Sequence, residues 1–249
     1  MAEFSLLTLN IHQGLSALRK RSILEQLRAA VREVSADVLC LQEVRGVHAQ
    51  GATLHPGTSG DPDYEYIADT LWSRFAYGRN AVFPEGHLGN AVLSKFPIAR
   101  FHNHDVSVAS AERRGMLRCE LEVPGSGQVI HVVCVHLGLR EAHRRHQLEA
   151  LCALVRREVP EDAPLVVAGD FNDWRRRADA VLATCGLQEC FVAAHGRPAR
   201  TFPARRPLFP LDRIYTRHLR VDRAQVLAGR PWSHLSDHAP LLIHASSAD

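Results

Sequence analysis

A strand–helix–strand order at the N-terminus most constrains the fold of this chain. Residues 4–11 and 36–44 are apolar runs typical of strands, and the second, ADVLCLQEV, has the continuous apolar character of a strand buried on both faces. Between them, residues 22–34 place their apolar side chains on one stripe of a helix. Because a right-handed crossover through a helix joins parallel strands, Asn10 and Glu43 are expected at the same edge of one sheet. Open α/β sheets bind their ligands at this edge, where the carboxyl ends of the parallel strands lie.

A similar alternation of strands and helices continues along the chain. Further strands are predicted over residues 90–98, 115–123, 128–138, 164–170, 210–216, 219–227 and 239–245, and helices over 141–159 and 177–186. The turn sequence PGSG joins the second and third of these strands, which predicts a hairpin. The repeated order of strands and helices indicates two similar halves.

Residues 46–86 lack this pattern. The segment is rich in Gly, Pro and His with scattered aromatic residues, and it is predicted to be an elaborated loop that lines the ligand-binding edge. Within it, residues 66–75 predict one helical turn.

The composition excludes several classes of protein. No tract approaches the roughly 18 consecutive apolar residues that a transmembrane helix needs, and the first residues lack the basic and apolar regions of a signal peptide. We therefore expect a cytoplasmic protein. No segment is typical of a linker, so residues 1–249 are expected to form a single domain. The net charge of +3 is too small to indicate nucleic-acid binding by itself, although it suits a phosphorylated substrate.

The six cysteines are interpreted as free, buried thiols. Four of them lie inside apolar periodic segments such as ADVLCLQEV and HVVCVHLG. Cys185 and Cys190 are close in sequence, but no second pair of cysteines lies nearby to complete a zinc site.

Polar residues with a consistent chemistry lie at or just beyond the ends of the apolar strands. They are Asn10, Glu43, His136, Asp170, Asn172, Asp212, Asp237 and His238. One such residue alone is usually structural, since a strand that leaves the core meets water. As a set, the carboxylates form an oxygen-donor environment that suits Mg²⁺ or Mn²⁺ rather than zinc, and such a cation usually serves phosphate chemistry. The two histidines can donate to phosphoryl oxygens when protonated, and each needs a carboxylate to hold it charged and oriented.

Seven short motifs occur in a fixed order between residues 4 and 244: TLNIH, LQEV, GNAVLSKFPI, VHLG, GDFN, LDRIY and SDHAPL. Together they resemble the endonuclease/exonuclease/phosphatase superfamily of metal-dependent phosphodiesterases, which includes DNase I, AP endonucleases, bacterial sphingomyelinases and inositol polyphosphate 5-phosphatases. Within it, the chain looks most similar to the small bacterial YbhP-like branch. The resemblance implies a DNase I-like α/β fold, a four-layer α/β/β/α sandwich. Two mixed β-sheets would pack face to face between helices, with the site in the groove where the strands of both sheets end.

The resemblance also implies a set of metal ligands. Glu43 would be the principal ligand of Mg²⁺ or Mn²⁺, and Asn10 would act beside it as a ligand or a positioning group. Asp237 would be a further ligand, directly or through water. In a shared metal–phosphate site, Glu43 would lie within about 10 Å of Asp170 or His238.

Catalytic roles follow from the resemblance in the same way. Asp170 would orient or deprotonate the attacking water, Asn172 would hold the scissile phosphate, and His136 would bind a non-bridging oxygen. His238 would form a charge-assisted pair with Asp212 and stabilise the pentavalent transition state. The acid adjacent to His238 in sequence is not expected to serve it, because successive residues of a strand point to opposite sides.

Two further residues are expected to support the site in substrate binding. Asn90 lies in GNAVLSK, and Arg114 lies in ERRGML. The alternative for each is structural, with Asn90 capping a strand and Arg114 exposed to solvent.

The sequence leaves the substrate open. Arginine-rich segments at 113–114, 140–145 and 197–206 favour a nucleic acid as the substrate. An endo- or exonuclease-like phosphodiesterase is therefore the function that we favour over the alternatives below. The aromatic residues between 64 and 83 favour a phospholipid headgroup or a small phosphodiester, as in sphingomyelinases and inositol phosphatases. A catalytically inactive binding module is a third alternative, although each expected position carries a competent residue. We expect a monomer.

Overall fold

The computed structural model describes residues 3–14, 23–48, 62–84 and 86–247. Its strands are β1 (Glu3–Asn10), β2 (Val38–His48), β3 (Arg74–Phe83), β4 (Gly86–Ser94), β5 (Ile98–Asp105), β6 (Gly115–Glu122), β7 (Val129–His136), β8 (Leu165–Asp170), β9 (Gln188–Glu189), β10 (Asp212–Arg217), β11 (Leu219–Val226) and β12 (Leu241–Ser247). Its helices are α1 (Leu24–Val34), α2 (Asp63–Ala68), α3 (Glu141–Glu158), α4 (Arg177–Ala183), α5 (Cys190–His195) and α6 (Trp232–Leu235).

Two mixed β-sheets carry the fold, each of six strands within the described ranges. The first has the order β11-β12-β1-β2-β4-β3, and the second has the order β5-β6-β7-β8-β10-β9. The pair β1–β2 is parallel, as predicted, and so is β7–β8, while the other neighbouring pairs are antiparallel. Each sheet therefore contains one parallel pair joined through a helix, which explains why the sequence indicates two similar halves. The predicted hairpin of β6 and β7 is confirmed.

The sheets pack face to face, and helices cover their outer faces. The core between the sheets contains Leu6 of β1 and Val132 of β7, both fully buried. On the outside of the first sheet, Leu27 of α1 lies in a second buried cluster, and on the outside of the second sheet Leu151 of α3 lies in a third. Burying this apolar surface is the main source of stability in such a layered fold. The predicted four-layer α/β/β/α sandwich is confirmed.

The predicted loop over residues 46–86 is wrong in part. Residues 49–61 and 85 lie outside the described part of the chain, but α2 and β3 occupy much of the remainder. The predicted helical turn at 66–75 is displaced, because the helix ends at Ala68 and β3 begins at Arg74. Since β3 is the edge strand of the first sheet and most of its residues are at least partly exposed, it lacks the apolar run that marks a buried strand.

One further strand prediction needs correction. The pattern over 90–98 predicts a single strand, but β4 ends at Ser94 and β5 begins at Ile98 in the other sheet. The chain crosses between sheets at this point, so the apolar run belongs to two strands that face the same core.

The cysteines differ from expectation at two positions. Cys152 in α3 and Cys185 after α4 form a disulfide with their Cα atoms 5.6 Å apart, so the prediction of six free thiols is wrong for this pair. They meet because α3 and α4 pack side by side, which no local sequence pattern shows. Cys190 and the remaining cysteines are free and buried, as predicted. No helix in the described part of the chain is long and apolar enough to span a membrane.

Candidate active site

Strands β1, β7 and β8 end, and β10 begins, at one end of the two-sheet core, beside a bulge within β2. Parallel pairing of β1 and β2 sets Asn10 beside the segment that carries Glu43. In the second sheet, the parallel pairing of β7 and β8 places His136 opposite Asp170, and the antiparallel strand β10 begins at Asp212, opposite Asp170 on its other side. The strand order therefore brings together residues that are far apart in sequence.

Asn10 connects the carboxylates of the two sheets. Its Nδ2 atom donates to Oε1 of Glu43 at 3.1 Å and to Oδ2 of Asp170 at 3.2 Å. Its Oδ1 atom accepts from the backbone nitrogen of His12 at 3.0 Å, which fixes the orientation of the amide. Since one nitrogen atom contacts both carboxylates, Glu43 and Asp170 lie well within the separation of about 10 Å expected for a shared metal–phosphate site.

A local irregularity in β2 directs Glu43 into the site. The register of β2 against β4 shifts between Leu41 and Val44, and Glu43 has a φ of 54°. A β-bulge re-aims a side chain, and a positive φ at a non-glycine residue is a strained conformation that is common at functional sites. Glu43 is half-buried and lines a cleft, so its carboxylate remains accessible.

Asp170, Asp212 and His238 form a buried cluster. Nδ1 of His238 lies 2.8 Å from Oδ2 of Asp212, and its Nε2 lies 3.8 Å from Oδ2 of Asp170. Burial alone would lower the pKa of His238, but the carboxylates of Asp212, Asp170 and Asp237 outweigh it and raise that pKa to about 10. Burial raises the pKa of the Asp170 carboxyl, while the charge of His238 opposes that rise. His238 is therefore held as an imidazolium at neutral pH.

His136 lies on the other side of Asp170. Its Nε2 atom is 3.6 Å from Oδ2 of Asp170. Burial lowers the pKa of His136 well below its usual value, and the charges of Arg114 and His238 lower it further. The expectation that a carboxylate holds each histidine charged therefore applies to His238 and is wrong for His136. A neutral imidazole still donates one hydrogen bond through its N–H group, so His136 can contact a phosphoryl oxygen.

Asn172 is held by the turn that follows β8. Its backbone nitrogen donates to Oδ1 of Asp170 at 2.9 Å, and its Nδ2 donates to the carbonyl of Leu137 at 2.9 Å. Its φ of 51° is again unusual for a residue other than glycine. These two bonds fix Asn172 next to Asp170.

Asp237 has a partner that sequence reasoning missed. Its Oδ1 lies 3.0 Å from Nδ1 of His12, a buried residue in the TLNIH motif. Ser236 also contributes, because its hydroxyl donates to the carbonyl of Asn10 at 2.6 Å and accepts from the backbone nitrogen of His238 at 3.1 Å. His12 follows Asn10 by two residues, so the rule that selected polar residues at strand ends also points to it.

The loop before β10 supplies two more residues that sequence reasoning missed. The hydroxyl of Thr201 accepts from the backbone nitrogen of Asp212 at 3.2 Å. The ring of Phe202 packs against the imidazole of His238, with centroids 5.0 Å apart. Nothing in this Pro- and Arg-rich segment marks either residue, because both contacts depend on how the loop folds back over the site.

Asn90 and Arg114 both lie at the cleft. Asn90 lies within β4 and donates through Nδ2 to the carbonyls of Gly115 at 2.9 Å and Cys134 at 3.3 Å, so it connects the two sheets and does not cap a strand. Arg114 donates through Nε to the carbonyl of Leu137 at 3.1 Å, and its side chain is only 18% exposed. Asn90 therefore does not cap a strand and Arg114 is not freely exposed to solvent, while their roles in substrate binding stay predictions.

A cleft of about 360 Å³ opens onto these residues. Its lining includes Glu43, Asn90, Arg114, His136, Phe83 and Leu139. The cleft thus combines two carboxylates, two arginines and a histidine with apolar side chains.

The donor set fits a divalent cation of the magnesium type. Glu43 offers a cleft-facing carboxylate, and in the described ranges the Oδ1 atom of Asp212 is buried without a hydrogen-bond partner. The ligand atoms of Asp170, Asp212 and His238 lie within 4.8 Å of one another. Carboxylate oxygens that have no hydrogen-bond donor favour binding of a hard cation. Glu43 would be the principal residue to hold it, since its carboxylate faces the cleft, and Asn10, which donates to that carboxylate and accepts at Oδ1 from the backbone nitrogen of His12, would act beside it.

The two-sheet sandwich, with carboxylates and histidines gathered where its strands end, defines a DNase I-like hydrolase fold. The Endonuclease/Exonuclease/phosphatase family model matches residues 7–238. This chain belongs to that family.

Comparison with individual proteins gives the same assignment. The chain is 56% identical over 243 residues to the uncharacterized protein YbhP of Escherichia coli (strain K12), covering 96% of this chain and 94% of that protein. Among solved structures, an endonuclease/exonuclease/phosphatase from Beutenbergia cavernae is similar with a TM-score of 0.79 and 19% identity, covering 100% of this chain and 72% of that chain. TDP2 from D. rerio, complexed with single strand DNA product, is similar with a TM-score of 0.72 and 18% identity over 99% of this chain and 100% of that one.

Proposed function

We propose that this protein is a divalent-metal-dependent phosphodiester hydrolase that acts on nucleic acid by in-line attack of water on phosphorus. The observation that carries the proposal is the buried arrangement of Asp212, His238 and Asp170 beside a cleft that holds Glu43 and His136. The carboxylates and imidazoles of this arrangement are the groups that phosphodiester hydrolysis needs.

Asp170 is the residue placed to orient and deprotonate water. Its Oδ1 is occupied by the backbone nitrogen of Asn172, so Oδ2 is the oxygen directed toward both imidazoles. A water bound at Oδ2 transfers one proton there as its oxygen bonds to phosphorus, and the P–O bond opposite the attacking oxygen breaks, releasing an alcohol whose oxygen takes up a proton from water. The Asn10 amide on the same oxygen fixes the carboxylate.

His238 and His136 are placed to bind the phosphoryl oxygens. Asp212 holds Nδ1 of His238, which leaves the Nε2–H bond free to donate to a non-bridging oxygen as negative charge increases there. His136 adds a neutral donor on the other side of Asp170. Asn172 is fixed next to Asp170 by its bonds to that carboxylate and to the carbonyl of Leu137, and it positions the scissile phosphate.

Glu43 and Asn10 would hold the cation, with Asp237 assisting directly or through water. When bound, the cation acts as a Lewis acid that stabilises charge on the phosphoryl oxygens. The strained backbone at Glu43 keeps that carboxylate directed into the cleft.

Nucleic acid is the substrate class that the surroundings favour. Arg113 and Arg114 line the cleft, and cationic side chains there attract a polyanionic backbone. The similar protein TDP2 is complexed with single strand DNA product, and this chain shares its fold. A second candidate is a phospholipid headgroup or small phosphodiester, favoured by the apolar side chains of Phe83 and Leu139 at the cleft.

A substrate panel tests the proposal. Single-stranded, double-stranded and abasic DNA, RNA, phospholipid headgroup esters and bis-p-nitrophenyl phosphate are incubated with the protein and Mg²⁺ or Mn²⁺. Cleavage of nucleic acid by the wild type is expected, with loss in Asp170→Asn and His238→Ala and full activity in the surface control Asp222→Asn. Selective cleavage of a headgroup ester would favour the second candidate, and inertness on every substrate with either metal would contradict an enzymatic function.

A further inference from the structure

An exposed tryptophan lies at the border of the proposed active site. Trp174 follows Asn172 by two residues, and 44% of its surface is exposed. The chain has three tryptophans, and the other two, Trp72 and Trp232, are buried. A large aromatic ring left in water forgoes the favourable free energy of burial, so other contacts must hold Trp174 in this position.

Arg144 packs against one face of the Trp174 indole. The guanidinium carbon of Arg144 lies 4.8 Å from the centroid of the Trp174 ring, in a cation–π contact. Arg144 is only 2% exposed, and its Nη1 donates to the carbonyls of Gly138 and Leu139. Its Nη2 is buried without a hydrogen-bond partner among the described residues. The indole thus rests on a fixed cation while much of its surface faces water.

Residues 137–139 contact both Arg144, which supports the Trp174 indole, and residues that line the cleft. The carbonyl of Leu137 accepts from Nδ2 of Asn172 and from Nε of Arg114, both of which belong to the site. Leu139 is 60% exposed and lines the cleft, while its own carbonyl is bound by Arg144. The same short segment therefore contacts the catalytic residues and the support of Trp174.

We propose that the exposed face of Trp174 is a stacking site for one nucleobase of a single-stranded nucleic acid, next to the phosphodiester bound in the cleft. The inference rests on the proposed function and specifies how that site selects its substrate. Every base has a π-face, so stacking on one indole tolerates any sequence. Arg140 and Arg145 are exposed and lie near Arg144 in sequence, and Arg175 is exposed next to Trp174 and pairs with Glu141 at 3.0 Å. Positive charge of this kind suits the flanking phosphates.

Intrinsic fluorescence tests the inference through binding alone. Single-stranded oligonucleotide is titrated into the protein in EDTA, which prevents turnover. Because Trp72 and Trp232 are buried, stacking quenches chiefly Trp174. The quench is expected in the wild type and absent in Trp174→Phe. By fluorescence anisotropy of a labelled oligonucleotide, Trp174→Ala weakens binding roughly 5- to 150-fold, and Trp174→Phe retains most of the affinity.

A double-mutant cycle locates the contact. An oligonucleotide series carries a single abasic spacer at successive positions. At one position the spacer weakens binding to the wild type but not to Trp174→Ala, since the ring and the base lose the same contact. The matched control is Phe101→Ala, which removes an exposed aromatic side chain from β5 and leaves binding unchanged. Equal binding by the wild type and Trp174→Ala would overturn the inference, and quenching by brominated phosphatidylcholine vesicles but not by oligonucleotide would assign Trp174 to a lipid instead.

Kinetics separate this inference from the proposed function. For single-stranded oligonucleotide, Trp174→Ala is expected to raise KM by a factor similar to the loss of binding and to leave kcat unchanged, because stacking stabilises substrate and transition state equally. A fall in kcat without a change in KM would contradict a stacking role. If no phosphodiester is hydrolysed but Trp174 still governs oligonucleotide binding, the proposed function fails and the stacking site stands.

Discussion

The Nδ1 atom of His238 lies 2.8 Å from Oδ2 of Asp212, and both side chains are buried. The two residues are 26 positions apart, whereas Asp237, the neighbour of His238 in sequence, contacts His12 instead. This division gives Asp212 and Asp237 separate histidines. It also leaves the Nε2 atom of His238 directed toward Asp170.

Removing the charge of Asp212 is expected to change the pH dependence of hydrolysis. The raised pKa of His238, about 10, keeps its imidazole protonated below that pH. In Asp212→Asn that pKa falls toward its usual value, so the imidazolium is lost at a lower pH and activity declines earlier as pH rises. The pH profile of kcat is expected to show an alkaline limb shifted down by a unit or more, with kcat at pH 8 reduced about a hundredfold. An alkaline limb identical to that of Asp222→Asn would contradict this role.

Glu43 is expected to control the metal requirement. In Glu43→Gln the side chain keeps its size and loses the charge that attracts a cation, so half-maximal activation needs a Mg²⁺ concentration about tenfold higher or more. The measurement is activity against free Mg²⁺ after removal of metal with EDTA. Glu112→Gln is the matched control, because it changes another glutamate that lines the cleft. The same activation curve for Glu43→Gln and the wild type would exclude Glu43 as the principal ligand.

Asn90 is expected to stabilise the folded protein through its hydrogen bonds between the two sheets. Asn90→Ala leaves the buried carbonyls of Gly115 and Cys134 without this donor, which is expected to lower the free energy of unfolding by about 1–3 kcal/mol. Asn90→Asp, which keeps the shape but lacks the amide hydrogens, should be destabilised as well. Urea unfolding checks both variants. Wild-type stability combined with a raised KM would instead assign Asn90 to direct substrate binding.

The main features of the fold could be predicted from the sequence because they depend on local patterns. The continuous apolar runs of β1 and β2, with a helical stripe between them, determine a parallel pair, and this places Asn10 beside Glu43. The edge strand β3 was not predictable in the same way, since a strand that is largely exposed has no apolar run. The disulfide of Cys152 and Cys185 depends on the packing of two helices and leaves no local signal.

The residues of the candidate site also differ in whether a local sequence pattern predicts them. Residues at strand ends, such as Asp170 and His136, are marked by their position after an apolar run. Thr201 and Phe202 reach the site from an irregular loop, so their contacts depend on tertiary structure alone. The neutral state of His136 also depends on tertiary structure, because burial and nearby positive charges set its pKa.

Asp63 provides a test of burial that is independent of catalysis. Its side chain is almost fully buried at the start of α2, and burial raises its pKa to about 7 although the charge and backbone of Arg45 oppose the rise. In the unfolded chain the same carboxyl titrates near pH 4. The folded state therefore holds this proton more tightly, and its contribution to stability is full below about pH 4 and is lost as pH rises toward 7.

The variant Asp63→Asn removes this titration. The free energy of unfolding of the wild type, measured in urea with EDTA present, is expected to fall relative to that of Asp63→Asn between pH 4 and 7, by a few kcal/mol in total. Since all other groups titrate equally in both proteins, the difference isolates Asp63. Asp69→Asn, which changes a less buried carboxylate that contacts Arg32, serves as the control. A constant difference between the wild type and Asp63→Asn across this range would show that Asp63 is ionised in the folded protein throughout.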